Sequence, residues 1–187
     1  MPFQDTLQRH AEVMQSARNL FNQKKTIYGD SWQMMDIHYI ADRMMVKCQR
    51  ITQLLTGKEA QVDEGVPTEL TDIINYAVIG LMRIKKEQES LNGSLSDEQV
   101  EALYDKCVEQ VRHTLTQKNH DYNDAWMTMR YGSLITQLKV KLSRILNEEE
   151  ADIANDPTSA IDQFQDIVNY AVFALLHPLA PYNLLPY

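Results

Sequence analysis

The chain has 187 residues, which is enough for one compact domain or two small ones. Its formal net charge of -8 argues against broad nucleic-acid binding, because affinity for polyanions comes from many Lys and Arg side chains placed on phosphates. The first residues lack a charged leader with an apolar run, and no stretch approaches the roughly 20 apolar residues that span a bilayer, so we expect a cytoplasmic protein outside the membrane.

The first helix is predicted over Thr6–Lys24, where apolar residues recur at steps of three and four. A loop follows, and its Lys24, Tyr28 and Trp32 are candidates for binding a nucleotide. A cation can bind phosphate, and aromatic rings can stack on a base. The alternative is a loop whose aromatic rings simply anchor it to the helices.

The second helix is predicted over Met35–Leu55, with an apolar stripe that includes Cys48. Cys48 and Cys107 form no CxxC pair, so we expect reduced, buried thiols. Beside the stripe lies a row of charged candidates for binding a di- or triphosphate, namely Asp42, Arg43, Lys47 and Arg50. The alternative is a solvated or salt-bridged helix face.

The third helix is predicted over Thr68–Lys86. Around its first turns stand carboxylates, an amide and a phenol: Glu64, Glu69, Asp72, Asn75 and Tyr76. Carboxylate oxygens suit Mg²⁺ held against phosphates, so Glu64, Glu69 and Asp72 are the metal candidates. Of these, Glu69 and Asp72 are also the catalytic candidates. Asn75 and Tyr76 are candidates for binding the nucleotide. The alternative is that acidic residues in a first turn only complement the helix dipole.

After residues 91–95 break the pattern, three more helices are predicted over Asp97–Gln117, Met129–Asn147 and Thr158–Leu176. Ser96 and Gln99 form a capping-box signature before the first of them. Asp156 and Pro157 are expected to begin the last as its N-cap and first helical residue, and His177 with Pro178 to end it.

The second set of helices repeats the first at an offset of 94 residues without a gap. Residues 23–32 align with 117–126, and residues 72–78 align with 166–172. The sequence therefore predicts an all-α bundle of about six helices, built from two tandem three-helix repeats over residues 1–92 and 95–187 with approximate two-fold symmetry in one compact unit. Because the second copy replaces Arg43 with Gln137 and Glu69 with Gln163, the first copy is the better candidate site.

The repeated blocks resemble the nucleotide modification associated domain family number one, formerly called a domain of unknown function, in the duplicated form found in Bacteroidetes. The resemblance is carried by the loop of Lys24, Tyr28, Gly29 and Trp32, by the helix with Asp42, Lys47 and Arg50, and by the Asn75-Tyr76-Ala77 helix. It implies a nucleotide-related role. Glu69 and Asp72 are also more distantly similar to part of the acidic motif in MazG-like nucleoside triphosphate pyrophosphatases, although the companion acidic helix is missing.

Two functions are consistent with these features. The first is a protein that binds a nucleotide or another phosphorylated small molecule, with Mg²⁺-dependent hydrolysis of nucleoside triphosphates as a further expectation. The second is a non-catalytic binding or assembly module, in which the polar blocks are interhelical salt bridges and residues 181–187 dock on a partner or on a second copy in a homo-dimer.

Overall fold

The structure is a computed structural model that describes residues 3–57, 65–122 and 124–181. These residues form seven α-helices: α1 Phe3–Tyr28, α2 Ile37–Leu55, α3 Val66–Gln88, α4 Asp97–Tyr122, α5 Tyr131–Asn147, α6 Glu150–Asn155 and α7 Thr158–Leu176. Short 3-10 helices follow α1 and α4, at Ser31–Met34 and Ala125–Thr128. Within the described ranges there is no strand, and the predicted all-α fold built from a tandem repeat is confirmed.

The seventh helix, α6, was not predicted. It has six residues and buries only Ile153, so it is too short to show a helical period in the sequence. The first helix is also longer than predicted and continues through Tyr28. Lys24 therefore lies on α1 and not in the following loop, and the helix ends where Gly29 adopts φ 59, a left-handed conformation that suits glycine.

The predicted helix caps can be compared with hydrogen bonds. The Ser96 backbone N–H donates to Gln99 Oε1 at 2.9 Å and the Gln99 N–H donates to Ser96 Oγ at 3.3 Å, so the capping box is confirmed. The last helix has the predicted bounds, Thr158–Leu176, but Pro157 is its N-cap and not its first helical residue. The Thr158 N–H donates to Asp156 Oδ1 at 3.1 Å, while Pro157 precedes the helix instead of occupying its first turn.

The two repeats form one bundle around a central helix pair. Helices α3 and α7, which are equivalent in the two repeats, pack against each other, and α2 and α5 flank them and also meet. Helices α1 and α4 each contact both central helices. The core between these helices is apolar and continuous, which is the arrangement expected when amphipathic helices bury their apolar stripes together.

Hydrogen bonds between the repeats follow the same symmetry. His10 Nε2 lies 3.0 Å from Asn169 Oδ1, and the Tyr104 hydroxyl donates to Asn75 Oδ1 at 3.0 Å. His10 and Tyr104 are repeat equivalents, as are Asn75 and Asn169. Each outer helix thus reaches into the other repeat. No helix in the described parts of the chain is long and apolar enough to cross a membrane.

Candidate functional site

A cleft of about 380 Å³ opens between the end of α1, the first 3-10 helix, α2 and α3. We call it the first pocket. Its charged lining consists of the cations Lys24, Lys25, Arg43 and Lys47 and the carboxylate of Asp72. The predicted residues Tyr28, Trp32, Asn75 and Tyr76 also line it. The sequence blocks from three helices therefore converge on one cavity.

An ion-pair network lies at the base of the first pocket. Asp72 accepts from Lys24 Nζ and Lys47 Nζ, each at 2.6 Å. Lys47 also donates to Glu69 Oε2 at 3.1 Å, and Arg50 Nη1 donates to Glu69 Oε1 at 2.6 Å. The network ties α1 and α2 to α3, which fixes the positions of the cations relative to the cavity.

The balance between burial and pairing sets the protonation of this network. Burial by itself raises the pKa of the Asp72 carboxyl, but hydrogen bonds from Lys24 and Lys47 outweigh it, so the pKa lies below its usual value. Burial by itself lowers the pKa of Lys47, and Asp72 and Glu69 reverse that effect, so the pKa is raised. Both groups are therefore charged at neutral pH.

Arg43 has a different partner from the lysines. Its guanidinium donates a hydrogen bond to the Tyr76 hydroxyl, and this bond raises the pKa of Arg43. Arg43 is exposed and, within the part of the chain that the structure describes, has no hydrogen bond to a carboxylate, so it can offer its other N–H groups to an anion in the first pocket.

The aromatic residues of the first pocket differ in burial. Tyr28 is 66% exposed and lies at the rim, whereas Trp32 is only 4% exposed. Among the described residues, no acceptor lies within hydrogen-bonding distance of the buried Trp32 Nε1. Asn75 serves the fold, because its Nδ2 donates to the Ala17 carbonyl at 3.0 Å and its Oδ1 accepts from Tyr104.

Several sequence candidates lie outside the cavity lining. Asp42 is exposed and does not line the first pocket, and Arg50 binds Glu69 behind it. Glu64 lies outside the described residues. Conversely, Lys25 lines the pocket and had not been selected. The signal for Lys25 was its place in the last turn of α1, which could be recognised only once the helix was known to reach Tyr28.

The described residues include no group of three or more His, Cys, Asp or Glu side chains able to hold a metal ion. The oxygens of Glu69 and Asp72 already accept hydrogen bonds from lysine or arginine. A cation would have to displace these partners, so this donor set does not fit Mg²⁺ by itself.

The second repeat forms an equivalent cavity of about 560 Å³, which we call the second pocket. Lys118, Lys141 and Asp166 line it and correspond to Lys24, Lys47 and Asp72. Lys118 Nζ binds Asp166 Oδ1, and Lys141 Nζ donates to Asp166 Oδ2 at 2.7 Å. The paired-lysine arrangement is therefore present twice.

These features define an all-α protein whose two repeats pack around one shared core, and each repeat has a lysine-lined pocket. The family model described as nucleotide modification associated domain 1 matches residues 24–84 and 118–177, about two thirds of the chain. The chain belongs to this family, as its resemblance indicated. Comparison with curated proteins and with solved structures finds no match. Similarity to the MazG-like pyrophosphatases stays a prediction.

Proposed function

We propose that the first pocket binds a nucleotide through its phosphates. The observation that carries this proposal is the charge of the cavity lining, which has four cations and one carboxylate in a protein whose net charge is -8. Two further carboxylates outside the lining, Asp97 and Glu69, pair with Lys25 and Lys47. Arg43 is therefore the cation best placed to bind an anion. A local excess of positive charge against an acidic background indicates an anionic ligand. The family to which the chain belongs is described as associated with nucleotide modification, which supports a nucleotide as the ligand.

The pocket offers groups for both parts of a nucleotide. Arg43 can bind phosphate oxygens with its planar guanidinium, and Lys24 and Lys47 can add charge at the base of the cavity. Tyr28, which is 66% exposed, provides aromatic surface at the rim, where a base can stack, and the buried Trp32 lies beneath it in the lining. The volume of about 380 Å³ is within the range of small-ligand sites.

Mg²⁺-dependent hydrolysis of nucleoside triphosphates is the weaker part of the proposal. It is supported by the proximity of Glu69 and Asp72, which both accept from Lys47. Because both carboxylates are engaged by cations, we derive no catalytic step from them. The ion pairs themselves favour the alternative of a non-catalytic binding module, in which the network positions the pocket and holds the helices together.

The cellular setting follows from the same proposal. A nucleotide-binding protein with two free, buried cysteines is consistent with a reducing cytoplasm. Homo-dimerisation and docking by residues 181–187 stay predictions, and residues 182–187 lie outside the described part of the chain.

Thermal shift followed by calorimetry with nucleoside mono-, di- and triphosphates tests the proposal. Ligand at about 100 times its Kd should stabilise the protein by about 2.7 kcal/mol. Arg43→Gln, which introduces the residue found at position 137, should weaken triphosphate binding by about tenfold through loss of a charge-assisted bond. Arg112→Gln removes an exposed cation outside the pocket and is the matched control.

Two results of this experiment would count against the proposal. One is an unchanged melting temperature with every nucleotide, and the other is equal weakening by Arg43→Gln and Arg112→Gln. Assays of phosphate and pyrophosphate release, with and without Mg²⁺, address hydrolysis separately. Release that depends on Mg²⁺ and is lost in Asp72→Asn would support catalysis, and binding without release would leave the non-catalytic module.

A further inference from the structure

The second pocket has the same paired lysines and aspartate at its floor as the first pocket, but its lining carries less positive charge. Two lysines, Lys118 and Lys141, flank Asp166, as their equivalents do in the first repeat. The position equivalent to Lys25 holds Asn119, and its Oδ1 accepts from the Asp124 N–H at 2.9 Å. Asn119 therefore shapes the loop instead of supplying charge.

The position equivalent to Arg43 is also neutral, because it holds Gln137. The described lining of the second pocket therefore contains two cations and one carboxylate, against four cations and one carboxylate in the first pocket. A ligand with several phosphates gains more in the first pocket than in the second, since each additional cation contributes a Coulomb attraction. The second pocket suits a less charged anion.

The aromatic wall of the second pocket is arranged differently from that of the first pocket. Phe173 replaces Ile79 and stacks on Trp126, with ring centroids 4.7 Å apart and an interplanar angle of 2°. The rings of Tyr170 and Phe173 are perpendicular, with centroids 6.2 Å apart. All three rings line the cavity, and because Trp126 is only 6% exposed, the half-buried Tyr170 and Phe173 supply most of the surface that a flat apolar group can contact.

The loop below this wall is fixed in the second repeat. Trp126 Nε1 donates to Asp124 Oδ1 at 3.3 Å, and Asp124 is buried. In the first repeat the equivalent Asp30 instead accepts from Ser94 at 3.1 Å. The aromatic wall of the second pocket is therefore held in place by the protein itself before a ligand binds.

We propose that the second pocket is a second binding site, selective for a ligand that combines an aromatic base with a single phosphate, while the first pocket takes the more highly phosphorylated form. The chemical class of the ligand rests on the proposed function. The existence of a separate second site rests on the lining, charge and volume of the second pocket alone. The protein thus holds a nucleoside monophosphate and a triphosphate at the same time.

Charge reversal at equivalent rim positions tests this inference. Ser31 and Ala125 are exposed, begin the two 3-10 helices and each line one pocket. Ser31→Glu and Ala125→Glu are therefore matched variants that add the same repulsive charge to one pocket each. Calorimetry would use the mono- and triphosphates of adenosine, guanosine, cytidine, uridine and thymidine, added singly and in sequence.

We expect Ala125→Glu to weaken monophosphate binding by about tenfold and to spare triphosphate binding, with the reverse pattern in Ser31→Glu. Gln137→Arg should shift the second pocket toward triphosphate and raise the triphosphate stoichiometry from one to two. Monophosphate binding that survives Ala125→Glu and is weakened by Ser31→Glu would overturn the inference and leave a single site. Loss of both ligands in Ala125→Glu would also overturn it.

The outcomes separate the two proposals. Failure of every nucleotide to bind would overturn both. Loss of monophosphate binding in Ala125→Glu alone would support the second site. If triphosphate binding is also unchanged in Ser31→Glu, the first pocket is not the triphosphate site.

Discussion

His10 and Tyr104 occupy equivalent positions in the repeats and bind equivalent asparagines, yet only His10 can change its charge near neutral pH. His10 is buried, and burial lowers its pKa from 6.5 to about 4, with nearby Arg112 acting in the same direction. The neutral ring donates from Nε2 to Asn169, which lines the second pocket. The fold therefore favours an uncharged His10, because burial outweighs the hydrogen bond to Asn169, which by itself raises the pKa.

We predict that His10 makes the fold sensitive to acid. Below pH 6.5 the unfolded chain binds a proton at His10 that the folded chain accepts only near pH 4. Stability is thus present in full above pH 6.5 and falls by on the order of 3 kcal/mol as the pH drops to about 4. Urea unfolding between pH 4 and 8 measures this loss.

The control is His10→Tyr, which introduces the residue of the other repeat. Tyrosine keeps a hydroxyl to donate to Asn169. In the other repeat Tyr104 packs on Phe21, with ring centroids 4.9 Å apart, and the position equivalent to Phe21 holds the smaller Leu115. The difference in stability between wild type and His10→Tyr should grow in favour of the variant as the pH falls. A constant difference across this range would show that His10 is not the group that titrates.

At the scale of elements, the close contact of α3 with α7 depends on a glycine. A Cβ at Gly80 would lie 2.5–2.8 Å from three ring atoms of Phe164. The repeat equivalents are Ala174 for Gly80 and Leu70 for Phe164. All four residues are buried. One contact thus pairs the small Gly80 with the large Phe164, and the equivalent positions hold Ala174 and Leu70, which are closer in size.

We predict that Gly80→Ala destabilises the protein by about 1–3 kcal/mol, because overpacking against Phe164 exceeds the gain in helix propensity of about 1 kcal/mol. The double variant Gly80→Ala/Phe164→Leu reproduces the pair of the other half and should recover most of the loss. A double-mutant cycle by urea denaturation gives the coupling. Additive effects of the two changes would mean that the ring does not limit the helix approach.

At the scale of the whole molecule, the repeats share one core. The largest helix interface, between α3 and α7, joins the two copies, and α2 and α5 meet across the same boundary. The hydrogen bonds of His10 and Tyr104 cross it in opposite directions. A single repeat would expose the apolar face of its central helix, and this exposure would cost much of its stability.

We therefore predict one cooperative unfolding transition for both repeats. Each repeat contains one tryptophan, so Trp126→Phe leaves Trp32 as a reporter of the first repeat and Trp32→Phe leaves Trp126 for the second. In each variant, fluorescence and far-UV circular dichroism should give the same urea midpoint within error. Fluorescence transitions that depart from the circular dichroism midpoint would indicate repeats that unfold separately.

How much could be predicted differs between the fold and the candidate site. The helices and the repeat followed from apolar periodicity and from the 94-residue offset, because both are properties of neighbouring positions in the sequence. The row of Arg43, Lys47 and Arg50 was also recognised from helical spacing. Spacing could not show that Lys47 faces the cavity while Arg50 turns to Glu69, since that depends on where α3 lies.

By itself the sequence determined the duplicated all-α architecture, the helix caps at Ser96 and the end of the last helix, because these depend on local hydrogen bonding and on which faces are apolar. Only the tertiary structure decided that the first and second pockets form at equivalent places in the repeats, that Asp72 and Glu69 are held by cations, and that His10 and Tyr104 each bind an asparagine of the other repeat. These features require side chains from distant helices to meet, and their distances are set by packing across the shared core.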